Sequence, residues 1–189
     1  MKIMAVNRTI GSPFGNILPV DMIPDSAIIR DHKPFFIPEF ASDWTFSPVI
    51  AFRIHRLGKN IAERFAPRYY DAYTLGLRIR PCDLLTELNS NNLPTGIATA
   101  FDGAFIQGEW MPLDTPCDKL SIDAGGLTAD IDFADTGIDR TIAQLSRYFT
   151  FKIGDIVIPC AIPAEKAISI NTSVTGTING TECINFKIK

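Results

Sequence analysis

The sequence predicts a mostly β fold with a few short helices, of the α+β class. Three observations predict it. Short runs rich in apolar and β-branched residues recur at 48–54, 120–123, 127–133, 155–158, 167–171, 174–178 and 183–188, as expected of strands bounded by turns. Gly125-Gly126 and Asn179-Gly180 each separate two such runs, and these dipeptides accept the positive φ of a tight hairpin. Helical spacing is rare by comparison.

Taken in order, residues 26–30 end one short run. Residues 48–54 alternate sides, with Pro48 at the first position, where a missing ladder donor is least disruptive. Residues 61–71 predict one or two short helices interrupted at Pro67. Residues 83–89 follow Pro81, a residue favoured in a first helical turn, and place Leu84, Leu85 and Leu88 on one side. Residues 89–94 and 112–118 are polar loops. Ile138, Ile142, Leu145 and Phe149 fall on one helical face, with Asp135 or Thr136 as the cap. No repeat or linker divides the chain, so a single domain over 1–189 is expected.

Composition narrows the function. The chain has 189 residues, 46% of them apolar, and a net charge of −3. That excludes nucleic acid as a bulk partner, which needs a basic surface. Residues 1–10 are broken by Asn7 and Arg8 and do not read as a signal peptide. No run approaches the roughly 20 apolar residues of a membrane span. Cys82, Cys117, Cys160 and Cys183 form no CxxC pair, so they read as reduced structural thiols of a cytoplasmic protein.

An ordered series of segments carries a resemblance. "RDHKPFFIPEF" (30–40) resembles a strand leading into an active-site segment, and "FSPVIAFRIHRLGKNI" (46–61) a strand with Glu-x-Glu before a Gly-Lys-Asn-Ile turn. "YYDAYTLGLRIRPCDL" (69–84) resembles Gly-Tyr-Thr-x-Gly-x-Asp-x-x-x-Arg-Asp, and "ATAFDGAF" (98–105) a Lys-x-Phe-Asp segment. "LSRYFTFKIGDIVI" (145–158) resembles a closing helix and the strand after Leu-x-x-Gly-Asp. In this order and spacing, from about residue 28 onward, the series resembles the fumarylacetoacetate hydrolase family. The resemblance implies a mixed β-roll like that family's C-terminal domain, usually a homodimer. It also implies relatives that hydrolyse acylpyruvates or isomerise and decarboxylate related keto acids, with Mg²⁺ or Mn²⁺.

The same resemblance places the family's metal-binding carboxylates on Ser47, Val49 and Arg78, and its lysine on Thr99. Hard divalent cations want carboxylate oxygens. No Asp or Glu lies in 46–59 or 72–82, so a one-residue slip restores nothing. The family's histidine before the first strand pair and its closing Thr-Gly-Thr-Pro turn are also missing. The sequence therefore reads as a degenerate homologue, a pseudoenzyme with no catalytic residue assigned and no metal cofactor.

Arg78 and Arg80 are two apart and share a strand face. They form a candidate pocket for a small carboxylate with Ser47, Thr99 and Asp102, or else pair with nearby acids such as Asp71 or Asp83. Asp102 before Gly103 reads as a turn residue, Cys82 as a packed thiol at a helix start, and His55 as a solvated turn residue. Trp44, Tyr69, Tyr70 and Trp110 read as core or interface aromatics. Three functions follow. The first is a non-catalytic member that binds an anion or a partner, as a homodimer or a heterodimer with a paralogue. The second is a metal-independent enzyme built on Arg78, Arg80 and Asp102. The third is a metal-dependent hydrolase or isomerase drawing on Asp43, Asp71, Asp83 and Asp102.

Overall fold

In the computed structural model, residues 1–113 and 118–189 are described; Cys117 and most of the loop 112–118 lie outside them. In chain order the strands are β1 (Lys2–Val6), β2 (Val20–Pro24), β3 (Ile28–Ile29), β4 (Trp44–Ile54) and β5 (Tyr70–Pro81). Helices α1 (Cys82–Ser90) and α2 (Gly96–Thr99) follow, then β6 (Phe105–Gln107), β7 (Met111–Pro112), β8 (Lys119–Ala124) and β9 (Leu127–Asp132). Next come α3 (Phe133–Thr136), α4 (Ile138–Leu145), β10 (Ile156–Ile158), β11 (Lys166–Ala167), β12 (Ser173–Ile178) and β13 (Thr181–Lys187).

Among the described residues two sheets form. The larger runs β2-β1-β10-β4-β5-β6-β3, with β11 added to β4 and β7 to β5. It is mixed: β1/β10 and β3/β6 are parallel and the rest of its pairs antiparallel. The smaller sheet, β13-β12-β8-β9, is wholly antiparallel. The main core lies between the sheets, where Leu75 and Leu77 of β5 join Ile122, Ile178 and Ile184. The opposite face of the large sheet carries a second, smaller apolar cluster around Ile3, Ala5, Val49, Ala51, Phe105, Ile156 and Ile158.

The predicted hairpins form at Gly125-Gly126 and Asn179-Gly180, with positive φ at all four residues. Several expectations are corrected. Pro48 is interior to β4 rather than at its start. On that side of β4, β11 pairs with Thr45–Phe46 and β10 with Phe52–Arg53, so Pro48 falls between the two pairings, where a residue without an N–H is tolerated. The run at 167–171 shrinks to β11. Residues 61–71 hold a single 3₁₀ helix, Glu63–Arg68, with Pro67 inside it, and β5 begins at Tyr70. The start of α4 is Gly137 (φ +63), not a side-chain cap at Asp135 or Thr136. Those two residues are the last two of the short α3, and their carbonyls are taken by the Arg8 guanidinium. No described helix is long and apolar enough to cross a membrane.

Candidate functional site

The antiparallel register of β4 on β5 builds the candidate site. Thr45 faces Arg80, Ser47 faces Arg78 and Val49 faces Gly76. Residues directly opposite share a face, as do residues two apart. Two hydroxyls and two guanidinium groups therefore stand together, beside the apolar pair Val49 and Gly76. The intervening residues Phe46, Ile50, Leu75, Leu77 and Ile79 turn the other way into the main core.

Arg78 is 4% exposed and does not pair with either acid the sequence suggested. Its Nη1 donates to Asn7 Oδ1 at 2.8 Å and its Nη2 to Asp21 Oδ2 at 2.7 Å. Asn7 Nδ2 donates to the same Asp21 oxygen at 2.9 Å, so the three side chains close a ring. Burial lowers the Arg78 pKa from its ordinary value; the hydrogen bond and charge of Asp21 oppose that, and neighbouring Arg80 adds to it. A guanidinium stays charged under such pressure, and a nearby carboxylate is what makes its burial tolerable.

The suggested partners are engaged elsewhere. Asp71 accepts two hydrogen bonds from Arg53, each 2.9 Å. Asp83 accepts from the backbone N–H groups of Ser42 and Leu84, which lowers its pKa. Arg80 is half-buried, and among the described residues it makes no ion pair. Thr45 donates to Glu165 Oε1 at 2.5 Å and lies 3.2 Å from Cys82 Sγ.

The remaining predicted positions are less central. Thr99 ends α2, which packs against β2 and β5. Asp102 is exposed in the turn before Gly103 (φ +95), the local role its sequence context indicated. His55 is exposed just past β4. Trp44 and Tyr70 are buried, with Tyr69 and Trp110 partly so. Cys160 and Cys183 are buried free thiols, each pushed up to about 11 chiefly by burial, and Cys82 is a half-buried free thiol at the start of α1.

Sequence reasoning missed two features. Asn7 and Asp21 were not candidates, although an Asp inside the apolar run Val20-Asp21-Met22-Ile23 was a visible signal. Phe105 was missed as well. Its ring lies against Gly76 on the site face: a Cβ built on Gly76 would fall 2.4 Å from Phe105 Cε2. Val49 and Phe105 are both buried in the smaller apolar cluster.

The residues at the metal positions implied by the family resemblance do not fit a divalent cation. Ser47 offers one neutral oxygen, Val49 offers none and Arg78 brings a fixed positive charge. Among the described residues no three His, Cys, Asp or Glu side chains stand together as a metal-binding group. Asp71 lies near the start of β5 and Asp83 in α1, past the other end of that strand.

Solved structures share this architecture. The fumarylpyruvate hydrolase of Pseudomonas aeruginosa, in complex with Mn²⁺ and pyruvate, superposes with a TM-score of 0.85 at 18% identity, covering 100% of this chain and 89% of that one. A protein described as a fumarylacetoacetate hydrolase family member from Yersinia pestis gives 0.86 at 21% identity, covering 100% and 92%. The 2-hydroxyhepta-2,4-diene-1,7-dioate isomerase of Mycobacterium marinum gives 0.83 at 20%, covering 99% and 73%. No protein-family model matches the chain and no curated protein matches it. The chain thus has the fumarylacetoacetate hydrolase fold that the motif series implied.

Proposed function

We propose that this chain is a fumarylacetoacetate hydrolase family homologue that has given up metal-dependent hydrolysis, its centre held by an internal ion pair. The carrying observation is the Arg78 guanidinium, buried where the resemblance expects a carboxylate and neutralised by Asp21. A hard dication next to that guanidinium would meet repulsion, not ligands.

Thermal melting tests this reading. A metal that binds only the folded state must raise the melting temperature. Mn²⁺, Mg²⁺ and EDTA are each expected to leave it unchanged, and acylpyruvates to remain uncleaved with Mn²⁺ present. A Mn²⁺-dependent rise together with turnover would instead establish a metal-dependent hydrolase or isomerase.

A second reading, a small-carboxylate site made by Arg78, Arg80, Ser47, Thr99 and Asp102, is favoured by Arg80, which makes no ion pair among the described residues and stands beside the hydroxyls of Thr45 and Ser47. Because Arg78 already serves Asp21, Arg80 is the arm available to a ligand. Oxalate without metal should then raise the melting temperature, and Arg80→Ala should abolish the rise; no effect of oxalate removes this reading. The resemblance implies a homodimer, and a non-catalytic member could instead pair with a paralogue; light scattering of the purified chain, alone and mixed with that paralogue, would separate the two.

A further inference from the structure

We propose that the ring of Arg78, Asp21 and Asn7 is a latch pinning the base of the 8–19 connection to the large sheet. It is a built-in cation that makes, between β5 and the β1–β2 hairpin, the kind of tie a bound metal makes between side chains. The inference rests on the metal-free reading above.

The latch grips both stems of one connection. Asn7 directly follows β1 and Asp21 lies in β2, so the two residues bracket residues 8–19. The Asn7 N–H donates to the Pro19 carbonyl at 2.8 Å, closing the base of that segment. Arg78 reaches one stem with Nη1 and the other with Nη2. A guanidinium fork can hold two acceptors in fixed directions, whereas a lysine ammonium is a point charge on a flexible stem. The connection itself has no strand or helix, only an isolated bridge from Thr9 to Ala161.

A second anchor holds the middle of the connection. The Phe14 ring lies 4.3 Å from the Arg8 guanidinium carbon and 4.8 Å from that of Arg140. Arg8 binds the carbonyls of Thr9 and Ser12 within the connection and those of Asp135 and Thr136 across from it. Between the anchors Gly15, Asn16 and Ile17 are open to solvent, Ile17 being 82% exposed. Leu18 packs partly against the main core, and Val20, in β2, pairs with Val6. The latch adds the charged tie at the base of this stretch, and breaking the ring should loosen the stretch while sparing the smaller sheet.

Hydrogen exchange read by mass spectrometry on the full chain tests this. In Arg78→Met, at labelling times too short for global unfolding to contribute, peptides covering 8–20 should exchange about tenfold or more faster than in the wild type, with peptides covering 173–187 unchanged. Asp21→Asn should accelerate the same peptides, and the double variant should exchange no faster than Arg78→Met. Wild-type rates at 8–20 in folded Arg78→Met overturn the latch. Should Arg78→Met fail to fold, Arg78→Lys and Asp21→Asn carry the test. Faster exchange confined to 8–20 supports the latch, and wild-type rates in both reject it. Slower exchange of wild-type peptides covering 44–54 and 70–81 on adding Mn²⁺ would instead sink the metal-free reading, an outcome separate from the variants.

Discussion

Two buried arginines hold this molecule together by different physics. Arg78 sits on the face of the large sheet that carries the smaller apolar cluster and is neutralised by one carboxylate, Asp21, which is 15% exposed at its side chain. Arg8, 7% exposed, has no ion pair among the described residues. It spends its terminal nitrogens on four backbone carbonyls and lays its plane on Phe14, and its Nε is buried without a partner among the described residues. The contrast teaches that a buried cation can be stabilised by one formal charge or by several dipoles and a ring. The first device is broken by a single partner's removal, the second only piecemeal.

The largest expected effect follows from this difference. Arg78→Met strands Asp21 beside an apolar side chain and should cost about 3–5 kcal/mol in urea unfolding; adding Asp21→Leu should recover much of that loss. Arg8→Met should cost about 2–4 kcal/mol, from several buried carbonyls left unpaired, and no single second substitution should rescue it. A rescue of Arg8→Met by changing one partner would erase the distinction. Gly76→Ala comes next, at about 1–3 kcal/mol of overpacking against Phe105. Combination with Phe105→Leu should relieve it, because the two positions share the Arg78 face. Phe14→Ala should cost about 1–2 kcal/mol through the lost cation–π contact and packing, and only on the Arg8 side.

The smallest effect is reserved for a third, surface arginine. Arg53 and Asp71 are 41% and 38% exposed, so Arg53→Met should cost only about 0.2–1 kcal/mol. The hydrogen bond from Arg53 holds the Asp71 carboxyl below its ordinary value of 3.8. A lowered carboxyl stabilises the fold above that ordinary value, and the stabilisation fades as pH falls through the depressed one. Arg53→Met should therefore be less stable than wild type at neutral pH, with the gap closing in strong acid; a gap unchanged by pH would assign it to packing alone.

The fold was legible where its signals are local. Gly-Gly and Asn-Gly hairpins, the segment series and the α4 stripe as far as Leu145 read correctly, because each depends on residues within one element or turn; Phe149 falls beyond the end of α4. The ligand geometry of Arg78 was not legible. Asp71 is its neighbour in sequence, yet seven residues along an extended strand is about 23 Å. The true partners lie 57 and 71 residues away, brought in by a sheet order that interposes β10 and β4 between β1 and β5. Pro48 misled for a similar reason: whether its missing N–H matters depends on what lies beside β4, which no local pattern states.

The contact of Phe105 with Gly76 carries one more consequence. A single aromatic ring, admitted by the absence of one methyl group, sets how much free volume exists at the middle of this sheet face. Shortening residue 105 would leave a dry void bordered by Val49 and Gly76, of the kind that takes small apolar guests. The capacity of this fold to hold a molecule at its centre is thus a property of its side chains, adjustable one residue at a time, while the strands that frame the space stay where they are.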